Sequence, residues 1–234
     1  MKYCARFTIV FLFALFFVSC GKQVAYNVGD IVMDDGSVLT ASQLEAYSGT
    51  AEPMAVIFSV TGGEHEGSSR VLGVGYKASK PVIFTKNETE AGIKSIQANY
   101  CVVAAQEYQI STGQYSNGGF IGLTDGRNTW KNVGLYEESA KESFVNYPAY
   151  DYAVNYGINN GYTKFSKGWY LPTAAEARML AISEISDLPQ IIWTSSQSYE
   201  AKDIELVVDL TKGSVEAGFK DKEYSVCSIY CFAG

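Results

Sequence analysis

The sequence predicts an α+β fold, twisted antiparallel sheets flanked by two or more helices. Three observations carry that expectation. Apolar runs such as PMAVIFSV (53–60) and IIWTSS (191–196) have strand length and are bounded by turn residues. The stretch GWYLPTAAEARML (168–180) holds a complete helix start, with Thr173 as N-cap and Glu176 three residues on. After that helix come IIWTSS, DIELVVDL, SVEAGFK and YSVCSIYCF, which read as an antiparallel meander with Thr211-Lys212-Gly213 as one tight turn.

Taken in order, Asp35-Gly36 between Ile31-Val32 and Val38-Leu39 is a hairpin signal. ASQLEAY suits a short helix. Residues 53–60 are apolar on both faces, as a central strand should be. TGGEHEGSS is a polar turn, and RVLGVGYKA and PVIFT are further strands. Residues 96–109 read as helix, STGQYSNGG and GLTDGRNTW as loops. Glu137 to Tyr156 reads as a helix broken near Pro148, since proline removes a donor and clashes with the preceding turn. GINNGYTKFSKG is loop. Trp169 and Leu171 are extended, as the residue before Pro172 prefers. In the helix that follows, Ala175, Met179 and Ile182 form the expected buried stripe. In DIELVVDL, Ile204, Leu206, Val208 and Leu210 alternate with Glu205, Val207 and Asp209, the pattern of a half-exposed strand. With no repeat and no Pro- or Ser-rich linker, residues 29–234 read as one domain with an N-terminal strand extension.

The N-terminus is of another kind. Lys2 and Arg6 precede an apolar run from Phe7 to Val18, and Ser19 precedes Cys20, the layout of a secretory signal over 1–19. The run falls short of the ~20 apolar residues that span a bilayer. Val18-Ser19-Cys20-Gly21 resembles the lipobox of bacterial lipoproteins, with Phe17 where that pattern usually has Leu. The resemblance implies that Cys20 becomes a lipidated N-terminus followed by a tether over 20–28. Two or more acyl chains anchor firmly where one holds only marginally. Gly21 and Lys22 lack the aspartate of an inner-membrane retention signal, so the expected location is the cell envelope, as an outer-membrane lipoprotein facing the periplasm or the exterior.

Removing 19 of 234 residues leaves 215. Loss of Lys2 and Arg6 takes the 18 basic residues to 16 against 25 acidic ones, a balance of −9. That argues against a nucleic-acid partner, which calls for clustered Lys and Arg. A hydrophobic share of 47% supplies a core and argues against disorder. With Cys4 in the leader and Cys20 lipidated, Cys101, Cys227 and Cys231 remain. Cys227 and Cys231 are too far apart for a bridge in an extended chain. A disulfide would join Cys101 to one of them; three buried thiols is the alternative.

His65 is the only histidine, and GGEHEGS has no elbow around a serine, so no catalytic residue is assigned. One histidine and three scattered cysteines do not make a zinc site, and DDGS and TDGRN do not match the EF-hand loop; no metal site is assigned. Gly73-Val74-Gly75 lacks the third glycine and following helix of a nucleotide loop, and no cofactor is expected. The best candidates for ligand contact are aromatic. Tyr150, Tyr156, Tyr162 and Trp169 crowd one segment beside Asn159, and Asp125, Asn128 and Trp130 form a second loop. Packing helix against sheet is the competing role for the aromatics.

The stretch Trp169, Leu171, Pro172, Thr173, Glu176, then Trp193-Thr194-Ser195, then a closing strand with Cys227 or Cys231, carries a family resemblance. It is similar to the Legionella collagen-like adhesin C-terminal domain and the related Fibrobacter major paralogous domain. VGDIVMDDGSVL, EPMAVIFSV, DGRNTW and NYPAYDYAVNYG extend the likeness over most of the mature chain. The resemblance implies a C-type lectin-like fold and a secreted or surface-attached protein, in several members adhesive or sugar-binding. This chain lacks the collagen-like repeat and the Glu-Pro-Asn, Gln-Pro-Asp and Trp-Asn-Asp motifs with which true lectins hold calcium and sugar. The expectation is a non-enzymatic, lipid-anchored module that binds a glycan or a surface protein. The alternatives are an assembly protein without a small ligand and, last, an enzyme on the same fold, which would need reactive cysteines or a metal in a cleft.

Overall fold

A computed structural model describes residues 25–61, 70–86, 100–101, 125–136, 144–183, 185–198 and 203–233. The leader, Cys20 and His65 lie outside them. In chain order the N-terminal part holds β1 (Ile31–Met33), β2 (Val38–Leu39), α1 (Ala41–Glu45), β3 (Pro53–Thr61), β4 (Arg70–Gly75), β5 (Val82–Ile83) and β6 (Tyr100–Cys101). Next come α2 (Thr129–Tyr136), α3 (Pro148–Val154), α4 (Tyr156–Asn159) and α5 (Ala174–Ala181). The C-terminal part holds β7 (Ile191–Ser198), β8 (Ile204–Asp209), β9 (Ser214–Phe219), β10 (Glu223–Tyr224) and β11 (Ile229–Ala233). The fold is α+β.

Local chemistry places the first elements. Gly36 sits at φ 88°, where a side chain would be strained, and the Ser37 amide donates to Asp35 Oδ1 at 2.8 Å. The turn joins β1 to β2. Thr40 then caps α1 reciprocally with Gln43. The sheet runs β11-β4-β3-β1-β2, antiparallel throughout. β3 is interior, as its two apolar faces require. A second sheet runs β6-β7-β8-β9, with only the β6–β7 pair parallel, and β5 and β10 form a small ribbon.

Helix α5 packs on β7, β8 and β9 of one sheet and on β3 of the other. Phe58, Leu72 and Val74 meet Ala174, Ala177 and Leu180 there, with Ile192, Leu206 and Val208 completing the cluster. The far face of the second sheet, Trp193 and Val207, is covered by Phe84 and by Tyr150 and Ala153 of α3. The far face of the first, Ala55 and Ile57, is covered by Tyr156, Tyr162 and Trp169. Each sheet is therefore buried on both sides.

Several expectations change. The buried stripe of α5 is Ala174, Glu176, Ala177 and Leu180, and Ile182 is 76% exposed. The inward pull of Glu176 rotates the helix away from the stripe read from Ala175, Met179 and Ile182. β8 is not half-exposed: Glu205, Val207 and Asp209 are buried beside Leu206 and Val208, because residues from distant parts of the chain cover its second face. Pro148 starts α3 instead of breaking a helix, its missing N–H costing nothing in the first turn. GRNTW is no loop: Asp125 Oδ1 accepts from the Arg127 amide at 3.0 Å and caps a 3₁₀ turn that leads into α2. Tyr100–Cys101, expected within a helix, pairs as a strand with Gln197 and Ser198. YSVCSIYCF is not one strand: Tyr224 ends β10, β11 starts at Ile229, and Cys227 lies between them. No helix among the described residues is long and apolar enough to cross a membrane.

Two measurements check this packing. Leu180→Ala is expected to cost about 2–5 kcal/mol in urea unfolding, and Ile182→Ala less than about 0.5 kcal/mol; equal costs would return the stripe to Ile182. The second concerns Asp209 at the β8–β9 turn. Hydrogen bonds from the Thr211 hydroxyl (2.6 Å) and the Lys212 ammonium (2.9 Å) hold its carboxyl far below the usual 3.8. A depressed carboxylate contributes stability above its unfolded value and loses it as pH falls. Wild type should lose melting temperature between about pH 4 and about pH 2 more steeply than Asp209→Asn; parallel curves would refute the assignment.

Candidate functional site

The aromatic residues singled out in the sequence lie in the interior. Tyr150 and Trp130 pack at a ring distance of 4.9 Å, Tyr156 and Trp169 at 4.4 Å, and Tyr156 and Tyr162 at 5.9 Å. Tyr150, Tyr156, Tyr162 and Trp169 are all buried. Two of them also bond to the backbone: the Lys77 amide donates to Tyr156 Oη (3.0 Å), and Trp169 Nε1 donates to the Phe165 carbonyl (2.8 Å). These four rings, expected from the sequence to contact a ligand, fill the space between the helices and loops and the outer faces of the two sheets. Trp130 is half-buried against Phe144 and Tyr147. Asn128 is exposed and accepts from Lys131 at 3.0 Å, and Asn159 is exposed on α4.

Asp125 belongs to a polar knot at the start of α5. The Glu176 carboxylate, 0% exposed, takes the Arg70 guanidinium at 2.6 Å and the Tyr170 hydroxyl at 3.0 Å on one oxygen. Its other oxygen takes the Thr173 and Gly126 amides at 3.0 and 3.1 Å. Only glycine fits at 126, because a Cβ there would stand 2.6 Å from the Leu171 carbonyl oxygen. Arg70 also lies 3.6 Å from Asp125, which Arg127 grips with its guanidinium at 2.7–3.0 Å. Burial raises the Glu176 carboxyl, with the Thr173 and Arg70 hydrogen bonds offsetting part of the rise. Burial works on Asp125 too, but the Arg127 hydrogen bonds outweigh it and hold that carboxyl below its ordinary range. Two arginines face two carboxylates whose oxygens are already engaged. Such a knot organises structure and leaves little to offer a substrate.

Other ionisable groups are also internal. Lys220 Nζ lies 3.8 Å from Glu205 Oε2 with both side chains buried; burial pushes the carboxyl up and the amine down. Desolvation pushes the Cys227 thiol up to about 12, so it stays protonated, and half-buried Cys231 donates to the Ala233 carbonyl at 3.0 Å. Pairing with Cys101 lies outside the described side chains. No group of three or more His, Cys, Asp or Glu able to hold a metal occurs among the described residues.

The open concavity lies elsewhere. A groove of about 700 Å³ runs between the first sheet, α1 and the turn after α5, a volume typical of ligand sites. The sheet contributes Ile31, Val56 and Val74, and α1 contributes Leu44 and Glu45. The turn contributes Ser183, Ser186 and Asp187. Tyr76, just past the end of β4, lines it with 48% of its surface exposed. Asp187 stands at φ 63°, the one described non-glycine residue in the left-handed region. An exposed aromatic face, hydroxyls and carboxylates over an apolar floor can hold a ligand by stacking and hydrogen bonding. Sequence reasoning missed these residues because five separated segments supply them and none carries a motif.

The knot generates a test. Arg70→Ala takes the guanidinium from the fully buried Glu176 carboxylate and is expected to cost about 3–5 kcal/mol in denaturant unfolding. A cost under about 1 kcal/mol would show the knot to be a surface ion pair.

No protein-family model, no curated protein and no solved structure matches this chain.

Proposed function

We propose that this chain is a lipid-anchored cell-envelope protein of C-type lectin-like fold that binds a glycan in the groove beneath α1 without transforming it. The single observation that carries the binding reading is the groove: about 700 Å³ of open space with a half-exposed tyrosine and unburied hydroxyl and carboxylate side chains. Among the described residues the polar knot and the buried aromatics are occupied by the fold, and the groove is open to a partner. Antiparallel sheets with flanking helices, together with the Trp-x-Leu-Pro-Thr-x-x-Glu resemblance, support the lectin-like assignment. The Val18-Ser19-Cys20 motif supports lipidation and outer-membrane placement. Val28 and Gly29 line the groove. Eight residue-to-residue steps lead from Cys20 to Val28 and reach at most roughly 29 Å, so the groove works close to the membrane.

Two assays test this. The full chain in detergent, applied to a glycan array, should retain a glycan. Tyr76→Ala should abolish retention with little change in melting temperature, because the ring is half exposed. An empty array beside a co-purified envelope protein would transfer the function to assembly. Radiolabelled palmitate should enter the wild-type chain and not Cys20→Ala; equal labelling would remove the anchor.

A further inference from the structure

A second depression adjoins the groove. It encloses about 240 Å³ and is lined by Leu180, Pro189, Leu210 and Thr211. Ile185, Asp187 and Leu188 line both concavities, so the turn carrying them is a shared saddle. Resting on the glycan reading above, we propose that the two concavities are subsites of one extended site, whose ligand is an oligosaccharide of several rings, uncharged or amine-bearing, laid across the 185–188 turn.

Three features argue for that class. The first is continuity: a ligand of one ring fills one concavity and leaves the other, whereas a chain of rings meets Tyr76 on one side of the saddle and Thr211 on the other. The second is charge. Among the described residues, Glu45 and Asp187 are the only charged ones lining either concavity, and both are acidic. A uronate or sulfated ring would set like charge against them with no lysine or arginine in the lining to offset it, while an amine would meet its complement. The third is the backbone around the site. An extended peptide commonly binds by adding a strand to a free sheet edge. Here β1, β3 and β4 are interior, each hydrogen-bonded to a strand on both sides. The site presents side chains and no free ladder from these strands. Rings that stack on a tyrosine and hydrogen-bond to hydroxyls and carboxylates match that offering better than a peptide main chain does. Asp187 has the central place. Its left-handed backbone is tolerated by Asp, Asn and Gly better than by other residues, and its carboxyl oxygen accepts from the Ser186 hydroxyl at 3.2 Å.

The test uses the full chain in detergent. Its probes are cello-, manno- and chitin oligosaccharides of one to about six rings, the deacetylated chitin series, oligogalacturonates and oligolysine. Titration calorimetry should show affinity rising at least ~10-fold from the shortest binding member to the tetramer and then levelling. Oligogalacturonates should not bind at low salt. Asp187→Asn keeps the left-handed backbone and removes the charge. It should weaken the deacetylated series about 10-fold with an unchanged melting temperature, and Tyr76→Phe should bind like wild type. Affinity independent of length would overturn the two-subsite inference and leave the glycan reading standing. Equal or tighter binding of oligogalacturonate would overturn the charge selection alone. Oligolysine binding with every sugar rejected would overturn both in favour of a basic peptide, and rejection of every probe would overturn both outright.

Discussion

The Glu176 carboxylate is the constraint on which the rest of the molecule depends. It is a buried anion, and burying one without partners costs several kcal/mol. Its partners come from four places: Arg70 at the start of β4, Gly126 before α2, Tyr170 in the bridge to β11, and Thr173 at its own helix cap. Meeting all four fixes how far α5 is rotated about its axis. That rotation turns Ala174, Ala177 and Leu180 inward, and small residues at two of the three positions let the helix lie close to Phe58 and Leu72 on one sheet and to Leu206 on the other. One polar requirement thus sets the packing between two apolar surfaces. A buried ionic network contributes little net stability compared with apolar packing, but it penalises every arrangement in which it is incomplete.

The aromatic segment does for the outer faces of the sheets what α5 does for the inner ones. Tyr150 on α3 and Tyr156 on α4 are only six residues apart, yet they seal different sheets. Glycines make room for this. A Cβ on Gly75 would stand 2.6 Å from the Tyr156 ring, and one on Gly218 would stand 2.8 Å from Trp193. Bare backbone on the strands receives large rings, Tyr156 from α4 and Trp193 from β7. The tyrosine richness that drew attention as a binding surface is the consequence of two sheets, each needing a cover on its second face.

What could be read from the chain follows from range. The Thr173–Glu176 cap and the Asp35-Gly36 turn act over two or three residues, and each forms as its local chemistry requires. The doubly apolar β3 also announced its interior position. Legibility failed where the deciding partner is distant. Arg70 lies 106 residues from Glu176, so the rotation of α5 was misjudged although its starting residue was known. Glu205 looks like a solvent-facing residue until Lys220 is in place beside it. The groove is the extreme case, since Val28, Leu44, Val56, Tyr76 and Asp187, each from a different segment, meet only once the sheet and α5 are assembled.

The same accounting separates the knot from the groove as places for a ligand. A ligand at the knot must displace hydrogen bonds already made to ionised groups, each worth about 1.5–3 kcal/mol, and replace them at equal quality merely to break even. At the groove it displaces water from exposed tyrosine and aliphatic surface, at a gain of about 25 cal/mol per Å² of apolar area covered. Tyr76 and Val28, each about half exposed, are apolar surface the fold has left uncovered there. Charged clusters draw the eye in a sequence, but in this molecule they are spent on holding two sheets and a helix together. The uncommitted surface is the weakly patterned one, and a partner gains most by covering it.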